Sequence, residues 1–401
     1  MTDLLERVQA GEIGLHELED HVSHEDAAAL RRTYLEDETD TILETLSMGA
    51  TDLADAEANV ENAVGTLEVP VGVAGPLPVD GGAAGGEYHV PLATTEGALV
   101  ASVNRGISTI RAAGGATARV TDRGMTRAPA FAVEGVEQAL ETVEWVRENE
   151  PALRAAAEAT TNHGELLGVD PYVVGDSVYL RFSYDTKDAM GMNMATIATR
   201  AACDTVEAET PAALIALSGN LCSDKKPAAI NAIEGRGRTV TAEVTIPADT
   251  VEERLGTTAE SIAEVNTRKN LLGSAKAGSL GFNAHAANVV AAVFLATGQD
   301  AAQVVEGANA ITTASVRDDG ALYASISLAS LEVGTVGGGT RLPTQQAGLE
   351  LLGHAGGGDP AGANADALAE VIAAAALGGE LSLLAAMASR HLASAHESLG
   401  R

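Results

Sequence analysis

The sequence predicts an α+β fold: a large α/β domain with a long buried central helix, a small ferredoxin-like domain inserted into it, and a helical N-terminal segment. Three observations predict it. Residues 128–216 read strand, helix, strand, helix, the rhythm of a small α/β unit. On either side the chain is rich in Gly and Ala, with extended segments punctuated by Pro and Gly. Near the C-terminus, 367–396 is a long Ala-rich stretch of helical texture.

The elements follow in order. Residues 1–60 are charged and helical, with breaks at Gly11 and Gly14 and an apolar stripe at Leu15, Leu18 and Val22. From Val69 an extended run begins, and Tyr88-His-Val-Pro-Leu is a second strand. A helix is expected over 94–105, opened by Thr94 or Thr95 with Glu96 in its first turn. In the small unit, Phe131-Ala-Val is a strand, 136–148 an amphipathic helix, 177–184 an alternating strand and 193–208 a helix. Beyond 217 a strand is expected at 239–246, a small-residue helix at 280–297, a strand at 322–328, and the helical region 367–396, interrupted near Gly378-Gly379. The division is therefore 1–60 (helical segment), 61–127 with 217–401 (large domain), and 128–216 (small domain).

Composition narrows the function. The chain has 401 residues, 46% hydrophobic but only 3% aromatic, so Ala, Val, Leu and Ile must build the core. The formal net charge is -31 and is dispersed along the chain. That excess repels nucleic-acid phosphates and anionic membranes. It suits molar salt, where screening shortens repulsion to about 3 Å. Two cysteines, Cys203 and Cys222, make no disulfide framework, and the N-terminus carries no apolar signal core, so a cytoplasmic location is expected. The apolar stretches 284–297 and 371–392 carry His285, Asn288, Glu380 and Arg390, and read as buried helices rather than membrane spans. There are five lysines: Lys187, Lys225, Lys226, Lys269 and Lys276. Where surface lysine is so scarce, each one points to a site or a structural task.

No Walker A motif, no strand-GxGxxG-helix unit and no zinc spacing is present, so no metal is expected. Four segments stand out. In Ala93-Thr-Thr-Glu96 through Arg105-Gly, a carboxylate sits at a helix start, either as a capping acid or as a catalytic one. Asp224-Lys225-Lys226-Pro227 is an anion site or a surface charge pair. Asp188-Ala-Met-Gly191-Met-Asn-Met194 is a Met-rich core patch, or a Gly-allowed loop before a helix whose free N–H groups hold phosphate. Gly334-Thr-Val-Gly-Gly-Gly-Thr340 is a tight turn or a close backbone approach to a ligand.

Together with Glu61-Asn-Ala-Val-Gly65, Pro70-Val-Gly-Val-Ala-Gly-Pro76, Ser218 to Gly237, Asn270 to Asn288 and Gly298-Gln-Asp300-Ala-Ala-Gln303, these blocks resemble 3-hydroxy-3-methylglutaryl-coenzyme A reductase of the biosynthetic class, over about residues 60 to 396. The resemblance implies reduction of the hydroxymethylglutaryl thioester to mevalonate with two NADPH, releasing coenzyme A. It assigns Lys225 to the developing oxyanion, Glu96 to proton donation, Asp300 to a place beside Lys225 and Glu96, and His391 to protonation of the leaving thiolate. Arg127, Ser218, Asp224, Lys226, Lys269 and Asn288 match substrate-binding positions; Ser102, Asn104 and Arg105 match coenzyme A contacts; Asp188, Met190, Gly191, Met192 and Asn193 match the NADPH loop. Where relatives show a Ser-Arg pair for the 2′-phosphate of NADPH, this chain has Thr161-Asn162-His163. The resemblance also implies a homodimer or tetramer with active sites at the subunit interface. The alternatives are NAD-dependent oxidation of mevalonate by the degradative class and a non-catalytic acyl-coenzyme A binding protein.

Overall fold

The structure is a computed structural model that describes residues 2–39, 42, 43, 49, 54 and 60–389. His391 lies outside the described residues. The buried apolar side chains form three separate clusters.

The first belongs to the N-terminal helices α1 (Thr2–Gln9) and α2 (His24–Thr39), where Leu4, Val8, Leu18 and Leu30 meet. Arg31 and Arg32 of α2 donate to the carbonyls of Ala63 and Val64, at 3.1 and 2.6 Å. The segment 61–65 is thereby tied to this unit.

The second and largest cluster lies on a sheet ordered β2-β1-β3-β8-β10-β9. Its strands are β1 (Val71–Gly81), β2 (Gly85–Ala93), β3 (Ala116–Arg127), β8 (Gly237–Ile246), β9 (Ala310–Val316) and β10 (Leu322–Leu331). Only β1 and β3 pair in parallel. Alternation in β8 buries Val240, Ala242, Val244 and Ile246. Against this sheet pack α3 (Leu99–Ala112), α7 (Ala286–Thr297) and the 26-residue α8 (Ala363–Ala388). Helix α8 is largely apolar and buried on every side, as such a helix must be, and carries the buried polar groups Asp366, Glu370, Glu380 and Ser382. Among the described residues it alone is long and apolar enough to cross a membrane, yet 78% of its most apolar window is buried inside the protein.

The third cluster belongs to the segment between. Here β4 (Ala130–Ala132), α4 (Val136–Glu148), α5 (Glu150–Glu158), β5 (Glu165–Val174), β6 (Ser177–Asp185), α6 (Met192–Glu209) and β7 (Ala213–Ala216) follow one another. Their strands lie antiparallel in the order β7-β4-β6-β5. Strand β3 joins the two sheets. After a register irregularity between Val120 and Asp122 it leaves β8 and pairs Met125–Arg127 with β6.

Three expectations about helices need correction. The helix expected from Thr94 begins at Leu99, because Ala98 adopts left-handed φ +68° and the turn carrying Glu96 precedes it. The helix expected from 280 begins at Ala286, because the amides of Ala284 and His285 are taken by Glu380 at 2.7 Å each. The break expected at Gly378-Gly379 is absent, and α8 runs through both. These glycines serve packing. A Cβ on Gly106 would lie 1.8 Å from the Gly378 carbonyl oxygen, so α3 and α8 cross with their backbones in contact. Tertiary packing here outweighs glycine's low helix propensity.

Candidate active site

The lysine pair sits on a loop with an unusual backbone. Asn220, Ser223 and Lys225 have φ of 62°, 48° and 59°, in the left-handed region that costs a non-glycine residue roughly 1–2 kcal/mol. Such conformations persist where the surroundings hold them. Buried Asn231 donates to the carbonyls of Cys222 and Ser223, 3.2 Å each. The Lys225 N–H donates to Glu306 Oε1 at 2.9 Å. Lys225 Nζ reaches Asp300 Oδ2 at 2.9 Å. That hydrogen bond to Asp300 holds the Lys225 ammonium above the usual lysine range, so it is a fixed cation at neutral pH. Lys226 is exposed and its Nζ donates to the Asp224 carbonyl at 2.7 Å.

Beneath the loop lies fully buried Arg236. Its guanidinium reaches Asp224 Oδ1 (3.1 Å), Glu306 Oε1 (3.0 Å) and Glu332 Oε1 (2.6 Å). Gln303 donates to Asp224 Oδ1 at 2.9 Å. Burial alone would raise the Asp224 carboxyl, but the Gln303 hydrogen bond and the charges of Arg236, Arg127 and Lys225 together hold it below its ordinary value. Glu306 and Glu332 go the other way. Burial pushes Glu306 up to about 7 and Glu332 well above the carboxylate range, because one guanidinium cannot balance three carboxylates.

Four of the five residues that the resemblance matched to an NADPH loop face a cavity of about 470 Å³. Met190, Gly191, Met192 and Asn193 line it, with Gly298, Gln299, Asp300, Gly334 and 336–340 opposite. Gly191 caps α6 with φ +89°, and a Cβ there would strike Thr186 at 2.2 Å. The 18-residue α6 therefore presents its N-terminus to the cavity. Asp188, the fifth, meets other partners. It is buried, and its carboxylate accepts the amides of Gly358 (2.9 Å), Gly362 (2.7 Å) and Ala365 (3.1 Å). It holds the loop to the start of α8 and does not line the cavity.

Glu96 belongs to another place in the same chain. Asn288 Nδ2 donates to Glu96 Oε1 at 3.3 Å, and both line a cavity of about 260 Å³ with Thr94, Thr95 and Leu295. Asn288 is the third residue of α7 and Asp300 lies three residues past its last, Thr297, so nine residue steps of helix, about 14 Å, run between Asn288 and the end nearest Asp300. The expectation that Asp300 sits beside both Lys225 and Glu96 holds within one chain for Lys225 only.

The remaining residues fall around these two places. Arg127 ends β3 and donates to Thr196 Oγ1 at 3.0 Å, leaving its buried Nε without a partner among the described residues. Ser218 Oγ lies 3.7 Å from Cys222 Sγ. Lys269 rides a π-helical turn, Asn266–Gly273, with Nζ 3.1 Å from Asn270 Oδ1; such turns often occur at functional sites. On α3, Arg105 donates to Ser382 Oγ (3.1 Å) and its carbonyl (2.6 Å), Ser102 Oγ lies 2.9 Å from Ser382 Oγ, and Asn104 Oδ1 accepts the Gly75 amide at 3.0 Å. Sequence reasoning missed Arg236, Glu306 and Glu332. The only local signal was the glycine-spaced run Gly235-Arg-Gly237-Arg.

The family model described as hydroxymethylglutaryl-coenzyme A reductase matches residues 27–401. The 3-hydroxy-3-methylglutaryl-coenzyme A reductase of Halobacterium salinarum is 69% identical over 401 residues, covering 100% of this chain and 99% of its own. That of Haloferax volcanii is 67% identical over 404 residues and 100% of both chains. The class II reductase of Streptococcus pneumoniae, solved bound to NADPH in open conformations, superposes with a TM-score of 0.69 over 96% of each chain at 22% identity, a likeness of fold. The sequence blocks, the sheet arrangement and these matches agree: the chain belongs to the hydroxymethylglutaryl-coenzyme A reductase family.

Proposed function

We propose that the chain reduces 3-hydroxy-3-methylglutaryl-coenzyme A to mevalonate and free coenzyme A. The observation that carries this reading is the Lys225–Asp300 pair at 2.9 Å, beside the 470 Å³ cavity that Asp300 itself lines. NADPH fits that cavity's donor set, because the amides at the α6 N-terminus suit a phosphate, and when bound it supplies the hydride. Lys225, kept protonated by Asp300, stabilises the oxygen that gains charge in the thiohemiacetal and again in the aldehyde stage. Asp224, pinned by Arg236 and Gln303, orients the substrate with Arg127, Ser218, Lys226, Lys269 and Asn288. Arg127 suits the free carboxylate. Glu96 gives a proton near the carbonyl, and His391 protonates the departing thiolate. Ser102, Asn104 and Arg105 hold the coenzyme A.

A homodimer, or a tetramer built from it, follows from the separation of Glu96 and Asn288 from Lys225 and Asp300 by most of the length of α7. A second subunit brings one chain's Glu96 to the other's Lys225. Exposed Leu67, Val71 and Val73, at 82%, 59% and 49%, flank Val69 of the Glu96 cavity and support a covered surface there. The division into 1–60, 61–127 with 217–401, and a ferredoxin-like 128–216 rests on the three buried clusters and the strand order β7-β4-β6-β5. The net charge of -31 supports function at high salt in a cytoplasmic setting.

The test is oxidation of NADPH by the purified protein in high salt with the hydroxymethylglutaryl thioester, with a parallel NADH arm. Absence of turnover with both nucleotides overturns the reading. Preference for NADH and mevalonate would place the chain with the degradative class.

A further inference from the structure

The reacting lysine is held at two points of its own residue. Its ammonium meets Asp300, which belongs to the site already described. Its backbone N–H meets Glu306 Oε1 at 2.9 Å. Glu306 is fully buried and lines neither of these two cavities. The same Oε1 also accepts from Arg236 at 3.0 Å, and Arg236 in turn binds Asp224 Oδ1 at 3.1 Å. One carboxylate oxygen and one guanidinium thus grip consecutive residues of the loop, Asp224 by its side chain and Lys225 by its backbone. The Lys225 backbone is left-handed at φ +59°, a conformation a lysine does not keep unaided.

We propose that Glu306 is a positioning residue for Lys225: by accepting the Lys225 N–H it fixes the left-handed turn that aims the ammonium at Asp300. This rests on the reductase reading above and adds a residue to its machinery. What the turn requires is an acceptor oxygen, not a negative charge. Glutamine keeps that oxygen and alanine does not.

The experiment compares wild type, Glu306→Gln and Glu306→Ala in NADPH turnover with the hydroxymethylglutaryl thioester. E306A is expected to lower kcat by about 10- to 100-fold with KM for both substrates held within about threefold, the size of loss that follows from misplacing a reacting group by about 1 Å. E306Q is expected to restore kcat to within about threefold of wild type. The pH profile gives a second readout. The groups facing the Lys225 ammonium are Asp300, Asp224 and Glu306. Loosening the Asp300 contact removes the main support of the charged lysine, so the alkaline limb of kcat should move to lower pH in E306A and stay in place in E306Q. A merely structural role would lower the unfolding temperature and leave both kcat and the limb of the folded protein unchanged, and that result overturns the proposal. Equal loss in E306Q and E306A overturns it too. Should E306A not fold, hydrogen exchange on wild type decides: the Lys225 amide should be protected although its side chain is exposed, and fast exchange there sinks the idea. An inactive wild type would instead defeat the reductase reading, so the two failures are told apart.

Discussion

Arg236 and Arg238 stand one residue apart and are almost equally buried, at 1% and 4% exposure, yet they keep opposite company. Arg236 is shared among three carboxylates, Asp224, Glu306 and Glu332. Arg238 shares a single carboxylate, Asp366, with the guanidinium of Arg123, and spends its other donors on the carbonyls of Val333 (3.1 Å) and Lys187 (2.5 Å). Arg236 lies in the bend just before β8 and Arg238 within it, with Gly237 at φ +76° between them. One side chain reaches the Lys225 loop through Asp224, the other α8 through Asp366. The difference teaches that burial alone does not mark a working charge. The acid-rich cluster holds more negative charge than its cation can balance, so its carboxyls respond to pH. The cation-rich cluster is a tie between β8, α8 and the loop after β6.

The largest expected effect sharpens the functional side. Lys225→Ala should lower kcat by about 10³-fold while substrate binding is kept, as loss of an oxyanion donor does; turnover near wild type would remove Lys225 from the mechanism. Next, the two arginines can be set against each other. Arg236→Met takes from buried Glu306 and Glu332 the guanidinium they share and should cost about 3–5 kcal/mol in denaturant unfolding. Arg238→Met leaves Asp366 its Arg123 partner and should cost less, about 1–3 kcal/mol. Equal losses would break the comparison.

The third concerns pH. Glu306 titrates near 7 in the folded chain against an ordinary value of 4.5. The folded state therefore favours its protonated form, and the stability it contributes is complete below pH 4.5 and lost as pH rises through about 7. Glu306→Gln removes that loss. Its stability relative to wild type should improve by up to roughly 3 kcal/mol between pH 4.5 and pH 8. A difference that does not vary with pH would show that Glu306 does not titrate in this window. The smallest effect belongs to Lys187, whose ammonium pairs with Asp185 at 2.6 Å on a partly exposed surface. Lys187→Ala should cost under about 1 kcal/mol, because Arg238 binds the backbone carbonyl that alanine retains.

What the sequence made legible was local. Alternating residues marked β6 and β8, and the periodicity of 136–148 gave the helix with those bounds. The motif blocks brought forward Lys225, Asp300, Glu96 and Asn288, and the structure pairs them two by two. What stayed hidden depends on partners far along the chain. Arg236 meets Glu332 across 96 residues, and no spacing rule announces such a pair. Glu380 stood out only as a charge in an apolar run, and Glu370 not at all. They are acceptors for backbone amides of the entry to α7 and of the β1–β2 turn, respectively. Asp188 sat in a motif that pointed to cofactor, and its carboxylate is taken up by the amides around Gly362. Gly378-Gly379 carried a break signal that close helix crossing overrides.

Helix α8 meets the proposed functional regions at intervals along its length: the loop before α6 through Asp188 at its start, the entry to the Asn288 helix through Glu380, and Ser102 and Arg105, proposed to hold coenzyme A, through Ser382. A helix advances about 1.5 Å and turns about 100° per residue. One residue inserted between Asp366 and Glu380 would therefore swing Glu380 and Ser382 a quarter-turn away from their partners while leaving the helix itself intact. Surface loops of this chain can vary in length, but α8 behaves as an indivisible measure, and substitutions are the only edits it can absorb.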